Sequence, residues 1–236
     1  MEYPKIENLY ASNGAQDSSR RRGPEFGFKA PGAEQIARWL VTEKVDGMNM
    51  RVIWRPYPLS EESDPNGELL IYGRSDKAQI TGDLAAYMRE TFTYERLVET
   101  FGLDDLDSGP MGDGDSWVLR LPEEVVLFGE GFGPGVQKAG HAYGGAKRFI
   151  LFDVVVNGHW LTWDNVVDVA QKLGIPHVPV LARGVDLETA KSFVQSSELL
   201  PAGSEHIEGI VARTDPYLFD WRGHRIIFKY KVRDLA

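Results

Sequence analysis

A chain of 236 residues, 42% apolar and 26% charged, can bury a sizeable core without metal or disulfide staples, and its composition is that of a globular protein rather than a disordered one. Cysteine is absent, which excludes a disulfide framework, a thiolate metal site and a cysteine nucleophile. The net charge of −9 argues against a general nucleic-acid coat, but residues 104–115 (DDLDSGPMGDGD) hold five aspartates and no base, so a local basic groove elsewhere is compatible with the total.

No segment approaches the roughly 20 apolar residues of a membrane helix, and Met1-Glu2-Tyr3-Pro4-Lys5 does not open a signal peptide. A soluble cytoplasmic protein with no membrane partner is expected. Residues 11–35 are rich in Gly, Ser and charge around Arg20-Arg21-Arg22 and read as a solvated loop, with a nucleic-acid contact as the alternative. A short helix is expected around Ala33 to Leu40. Strands follow at 41–45, 49–55 and 69–74, by β-branched and aromatic content, with a turn over 60–67 ending in Asn66-Gly67. The spacing of Leu84, Met88, Phe92, Leu97, Val98 and Phe101 predicts one helix over 84–101. Strands at 124–130 and 148–156 come next, then an Asn157-Gly158 turn into His159-Trp160-Leu161. Helices are expected over 164–173, stopped by Gly174 and Pro176, and over 186–194, capped by Asp186. The last strands are 209–213 and 225–232. Strands outnumber helices without alternating with them, which favours α+β with antiparallel sheets.

Two glycine-rich stretches do not satisfy the phosphate-loop patterns they superficially suggest. Gly129–Gly140 has glycines spaced by two with Pro134 between them and no helix after. In Gly140–Lys147, Ala146 separates Gly145 from the lysine, and Arg148 stands where a hydroxyl must bind metal. There is no G-x-S-x-G elbow, and the five histidines lack metal-ligand spacing.

The chemistry-bearing segment is Thr42-Glu43-Lys44-Val45-Asp46-Gly47-Met48-Asn49-Met50-Arg51. Alone, it reads as a β-hairpin with an exposed lysine. A lysine at a strand end beside a tight turn can also be aimed into a cleft. A neutral lysine amine, favoured by desolvation and nearby cations, can attack phosphorus. Such chemistry needs counter-charge for a phosphate, carboxylates for a divalent metal, and a grip on base and ribose. The chain offers Glu130 in Leu127-Phe128-Gly129-Glu130-Gly131, Phe152 in Phe149-Ile150-Leu151-Phe152-Asp153-Val154, and Glu208 in His206-Ile207-Glu208-Gly209-Ile210-Val211. Ile227-Phe228-Lys229-Tyr230-Lys231 puts two lysines on one strand face, because side chains alternate with period two.

Taken in order, these segments resemble motifs I, III, IIIa, IV and V of the covalent nucleotidyltransferase superfamily of DNA ligases, RNA ligases and capping guanylyltransferases, from about Lys44 to Lys231. Tyr72-Gly73-Arg74-Ser75 resembles motif Ia. Asn49 in K-x-x-G-x-N, the opening Tyr3-Pro4-Lys5-Ile6-Glu7-Asn8-Leu9 and the Phe128-Gly129-Glu130-Gly131 context are similar to the RNA-ligase branch that includes the RNA-editing ligases, whereas Asp46 is shared with DNA ligases. The resemblance implies an α+β nucleotidyltransferase (ATP-grasp-like) adenylation domain, 1–236, of antiparallel sheets flanked by helices, with the nucleotide in the cleft between them.

It implies ATP-dependent joining of RNA 5′-phosphate and 3′-hydroxyl ends through lysyl-AMP on Lys44. Lys229 and Lys231 would neutralise the α-phosphate and favour the neutral form of Lys44. Glu208 would hold Mg²⁺ or Mn²⁺, Glu130 would bind ribose and Phe152 would stack on adenine. Glu43, Asp46, Asn49 and Arg74 complete the nucleotide- and end-binding set. The implied partners are ATP and RNA ends or a nicked duplex, RNA/DNA hybrids included. With five residues after motif V, no C-terminal OB-fold or helical domain is expected, and a partner could replace one. A minimal ATP-dependent DNA ligase, and a nucleotide- or nucleic-acid-binding module with a decayed site, are the alternative functions.

Overall fold

The computed structural model describes residues 1–16, 19–29, 32–56, 67–104, 119–136, 145–195 and 208–235. In chain order the strands are β1 (Glu7–Asn8), β2 (Trp39–Glu43), β3 (Met48–Arg55), β4 (Glu68–Tyr72), β5 (Leu103–Asp104), β6 (Leu119–Arg120), β7 (Val125–Phe132), β8 (Arg148–Val156), β9 (His159–Trp160), β10 (Val180–Val185), β11 (Gly209–Thr214) and β12 (Ile227–Lys231). The α-helices are α1 (Gly82–Thr91), α2 (Tyr94–Phe101), α3 (Trp163–Lys172) and α4 (Leu187–Gln195). The fold is α+β, with two five-stranded sheets in which β1–β12 is the parallel pair and the other neighbours are antiparallel.

The residues form two compact units. Of the described residues, the first takes in Met1–Tyr3 and those within 47–136 and 145–177, and the second Pro4–Asp46 and those within 178–236. The first unit is built on the sheet β4-β3-β7-β8-β9, with the small pair β5-β6 beside it. Helices α1 and α3 pack on β8. Leu84, Met88, Phe92 and Leu97 are fully buried, as their spacing predicts. Phe92 meets Phe149 edge-on at 5.4 Å, and Trp54 lies 6.0 Å from Tyr94. The expected single helix over 84–101 is two helices. Thr93 interrupts it, leaving the helical conformation and accepting a hydrogen bond from the backbone N–H of Arg96 at 3.4 Å, an N-cap for α2.

The second unit is built on the sheet β1-β12-β11-β2-β10. One face packs under α4. Trp39, Val41, Ile210, Ala212, Phe228 and Tyr230 form its core with Leu187, Ala190 and Val194, whose i, i+3, i+7 spacing lines one side of the helix. Asp186 caps α4 as expected, its Oδ1 accepting from the Thr189 N–H at 2.8 Å. The short helix expected around Ala33 to Leu40 is only a 3-10 turn at Ala33–Gln35, because Trp39 and Val41 alternate into the sheet core and pull the chain into β2. Strands β1 and β10 carry weak sequence signals and exist as edges, β1 beside β12 and β10 beside β2.

The expected turn over 60–67 lies outside the described residues except for Gly67, as does the acidic stretch 104–115 except for Asp104, and the glycine-rich segment beyond residue 136 is described again only from Gly145. Among the described residues, no helix is long and apolar enough to cross a membrane.

Candidate nucleotidyl-transfer site

In the second unit the strand ladder continues one residue past β2. The Lys44 N–H donates to the Gly209 carbonyl at 2.9 Å, and Gly209 is the register partner of Lys231. Lys44, Gly209 and Lys231 therefore form one row across three strands. Two residues along each strand, past the row Glu43, Ile210 and Tyr230, comes the row Thr42, Val211 and Lys229. Alternation places Lys44, Lys229 and Lys231 on the same face, opposite the one covered by α4.

The centre of the first row has no side chain, for a steric reason. A Cβ on Gly209 would lie 2.2 Å from the Tyr230 carbonyl oxygen and 2.7 Å from the Lys231 Cα. The carboxylate beside it serves both neighbours. Glu208 Oε2 accepts from Lys44 Nζ and Oε1 from Lys231 Nζ. All three side chains are largely buried, at 19% exposure for Lys44, 12% for Lys231 and 22% for Glu208. Burial pushes the Glu208 carboxyl up, but the Lys44 charge and the hydrogen bonds from both lysines outweigh it and hold the group below its usual range. Lys229 is pushed down to about 8, by burial first and then by the charges of Lys231 and Lys44. Three lysines share a face with a single bridging carboxylate, a surplus of positive charge suited to a phosphate.

Glu43 does not join this group. It follows Trp39 and Val41 at period two and pairs with Ile210, so it sits on the α4-covered face, buried, with Lys44 on the other. Asp46 is half-buried just after β2.

In the first unit, Asn49 and Glu130 are direct partners across β3 and β7. Gly47 explains how the chain enters this pair: a Cβ there would lie 2.5 Å from the Gly131 carbonyl oxygen and 3.2 Å from the Glu130 Cβ. Between β7 and β8 the register passes from Phe128↔Asp153 to Gly129↔Leu151, so Phe152 is the extra residue of a bulge. The bulge sets two consecutive side chains toward one neighbour. The Phe152 ring lies 5.0 Å from the Tyr3 ring, and the Tyr3 hydroxyl donates to Asp153 Oδ2 at 2.7 Å. Phe152 is half-buried on this face, with Ile53, Val126, Phe128 and Val155. Arg74 is exposed, just beyond β4.

Arg51 and Asp153 lie on this sheet face, with Tyr3 packed against it, and none of the three is among the residues assigned a role from the sequence. Arg51 is buried, donates to Asp76 and, at 3.4 Å, to the carbonyl of Arg74, and lies 5.1 Å from the centre of the Tyr72 ring. It thereby ties β3 to the loop that carries Arg74. Period two from Asn49 would have found Arg51. No local signal links Tyr3 to a carboxylate 150 residues away.

Among the described residues there is no group of three or more His, Asp or Glu that could cage a metal. The donor set fits another arrangement. A single carboxylate, that of Glu208, can share a divalent cation with substrate phosphates, as Mg²⁺ sites at phosphates commonly do.

A family model described as RNA ligase matches residues 37–231. The solved structures that resemble the chain include variants of Naegleria gruberi RNA ligase. One with AMP and Mn has a TM-score of 0.56 at 17% identity, covering 87% of this chain and 53% of that one. A second, with ATP and Mn, has a TM-score of 0.59 at 17% identity, covering 98% of this chain and 56% of that one. A third, with AMP and Mn, has a TM-score of 0.58 at 17% identity, covering 99% and 62%. At these identities the likeness is one of fold. The chain spans little more than half the length of the first two. A comparison with curated proteins finds no match.

Proposed function

The chain belongs to the RNA ligase family, and from that membership and the lysine–carboxylate cluster of the second unit we propose that it is the adenylation domain of an ATP-dependent ligase joining RNA 5′-phosphate and 3′-hydroxyl ends. The observation that carries the reading is the row Lys44–Gly209–Lys231 with Glu208 bound to both lysines and Lys229 on the same face.

Three steps follow. Lys44 Nζ, having lost a proton, attacks the α-phosphorus of ATP. A nitrogen–phosphorus bond forms and the bond to the β-phosphate breaks, releasing pyrophosphate. A 5′-phosphate oxygen of the RNA then attacks the same phosphorus, the nitrogen–phosphorus bond breaks, and Lys44 recovers a proton. Finally the 3′-hydroxyl attacks the activated 5′-phosphate, AMP leaves, and the phosphodiester closes. Lys229 and Lys231 neutralise charge on the α-phosphate in the first two steps. Glu208 orients Lys44 through their ion pair. A divalent cation, Mg²⁺ or Mn²⁺, would be held by Glu208 together with phosphates and would supply further positive charge there. By the family resemblance, Glu130 takes the ribose hydroxyls and Phe152 the adenine face, while Asn49, Asp46 and Arg74 organise phosphates and ends. Glu43, buried on the other sheet face, supports β2 rather than touching nucleotide.

The test is incubation with α-labelled ATP and Mg²⁺ or Mn²⁺, followed by a denaturing gel. The wild-type chain should carry label from ATP and not from GTP, and Lys44→Ala should carry none. Lys44→Arg should also carry none, because guanidinium stays protonated. Label retained on Lys44→Ala would sink the assignment. Sealing of nicked duplexes with RNA or DNA on each side of the break distinguishes an RNA ligase from a minimal DNA ligase.

A further inference from the structure

We propose that the tip of the β11–β12 hairpin, residues 217–225, is a stacking site for unpaired bases of the RNA substrate, an inference that rests on the ligase reading above. The tip carries the most exposed large apolar side chain among the described residues, Trp221 at 86%, with Phe219 at 51% close by in sequence. Aromatic side chains grouped in the open mark a contact surface more often than a single exposed one does.

The platform is held by its own backbone. Phe219 bridges to Arg225, the Ile226 N–H donates to the Leu218 carbonyl at 2.8 Å, and the Asp220 N–H donates to the His224 carbonyl at 2.8 Å. Asp220 Oδ1 accepts from the N–H groups of Arg222 and His224 at 2.9 and 2.8 Å, and its Oδ2 faces His224 Nδ1 at 3.3 Å. The one carboxylate of the tip is thus engaged within the turn. The two guanidiniums lie over aromatic rings, Arg222 at 4.5 Å from the Trp221 ring centre and Arg225 at 5.4 Å from that of Tyr217.

Aromatic faces backed by arginine are the chemistry that grips single-stranded nucleic acid. Bases stack on the rings and the cations answer the phosphates. A cationic tip on a chain of net charge −9 gives the complementarity a polyanion needs. Arg225 stands six residues before Lys231 along the same segment, at most about 20 Å at the rise of a strand. At about 3.4 Å per stacked nucleotide, that is roughly six nucleotides from the phosphate cluster. The tip therefore grips bases away from the junction and acts on substrate affinity rather than on the bond being made.

The experiment compares the wild-type chain, Trp221→Ala and Trp221→Phe in two assays. One is fluorescence anisotropy with a labelled single-stranded 20-mer RNA and with the same sequence as a blunt duplex. The other is transfer of label from ATP to the protein. Loss of one stacking side chain should weaken single-strand binding about fivefold or more. Trp221→Phe should restore most of it, with duplex binding and self-adenylation unchanged. Equal single-strand affinity in wild type and Trp221→Ala, or no single-strand binding by either, overturns the proposal while leaving an intact AMP adduct as support for the ligase reading. A wild-type dimer that dissociates in Trp221→Ala, at unchanged RNA affinity, assigns the tip to a second copy instead. A wild-type chain that takes no label from ATP fails the ligase reading itself.

Discussion

Lys229→Met should make the protein more stable and less active. Methionine keeps an unbranched side chain of similar length on β12 and removes the charge. In the folded chain Lys229 is pushed from 10.5 to about 8, by burial first and then by Lys231 and Lys44. At about 1.36 kcal/mol per pH unit, this corresponds to roughly 3 kcal/mol of unfavourable interaction for the protonated form. The side chain is only half-buried, so solvent screening reduces the recoverable part to about 1–2 kcal/mol.

Below about pH 8 Lys229 is protonated in folded and unfolded chains alike, and the full cost stands. Between about 8 and 10.5 the folded chain releases its proton before the unfolded one does, so the wild type gains stability as the pH rises. Urea unfolding at pH 7 should therefore favour the variant by about 1–2 kcal/mol, with a Tm higher by roughly 2–8 °C for a chain of this size. By pH 10 most of that advantage should be gone. Transfer of label from ATP should fall about 100-fold, the order of effect of removing one charge-stabilising group from a transferring centre. A variant less stable than wild type at pH 7, or a gain that persists undiminished at pH 10, would refute the reasoning.

Glu208→Gln keeps the shape and removes the charge shared by Lys44 and Lys231; it should cost about 2–3 kcal/mol in urea unfolding and, in the label-transfer assay, weaken the dependence of adenylation on Mg²⁺ or Mn²⁺ concentration along with its rate. Gly209→Ala forces a methyl against the Tyr230 carbonyl and should cost about 1–3 kcal/mol. Because that contact lies within the Lys44–Gly209–Lys231 row, its label transfer should fall further than its thermal midpoint suggests, whereas a variant matching wild type in both would show that the row tolerates a side chain at its centre.

Much of this protein is written locally. Period-two alternation places Lys229 and Lys231 on one strand face, the spacing of Leu84, Met88, Phe92 and Leu97 marks a buried helical stripe, and Asp186 announces the start of α4; each is a relation among near neighbours in the chain. Other features depend on which distant segments meet. That Glu208 bridges Lys44, 164 residues away, and Lys231, 23 residues away, follows from the register of β2, β11 and β12, which no one of them encodes. The same register puts Glu43 behind the sheet although it adjoins Lys44. The bulge at Phe152 turns a strand that reads as regular, and Tyr3 reaches Asp153 across the sequence. β10, with Arg183 and Gly184 in its second half, becomes a strand because the edge of β2 offers it hydrogen bonds. Composition and periodicity fix what each segment can be. Strand pairing, a many-body choice made by packing and backbone hydrogen bonding, decides which carboxylate stands between which lysines.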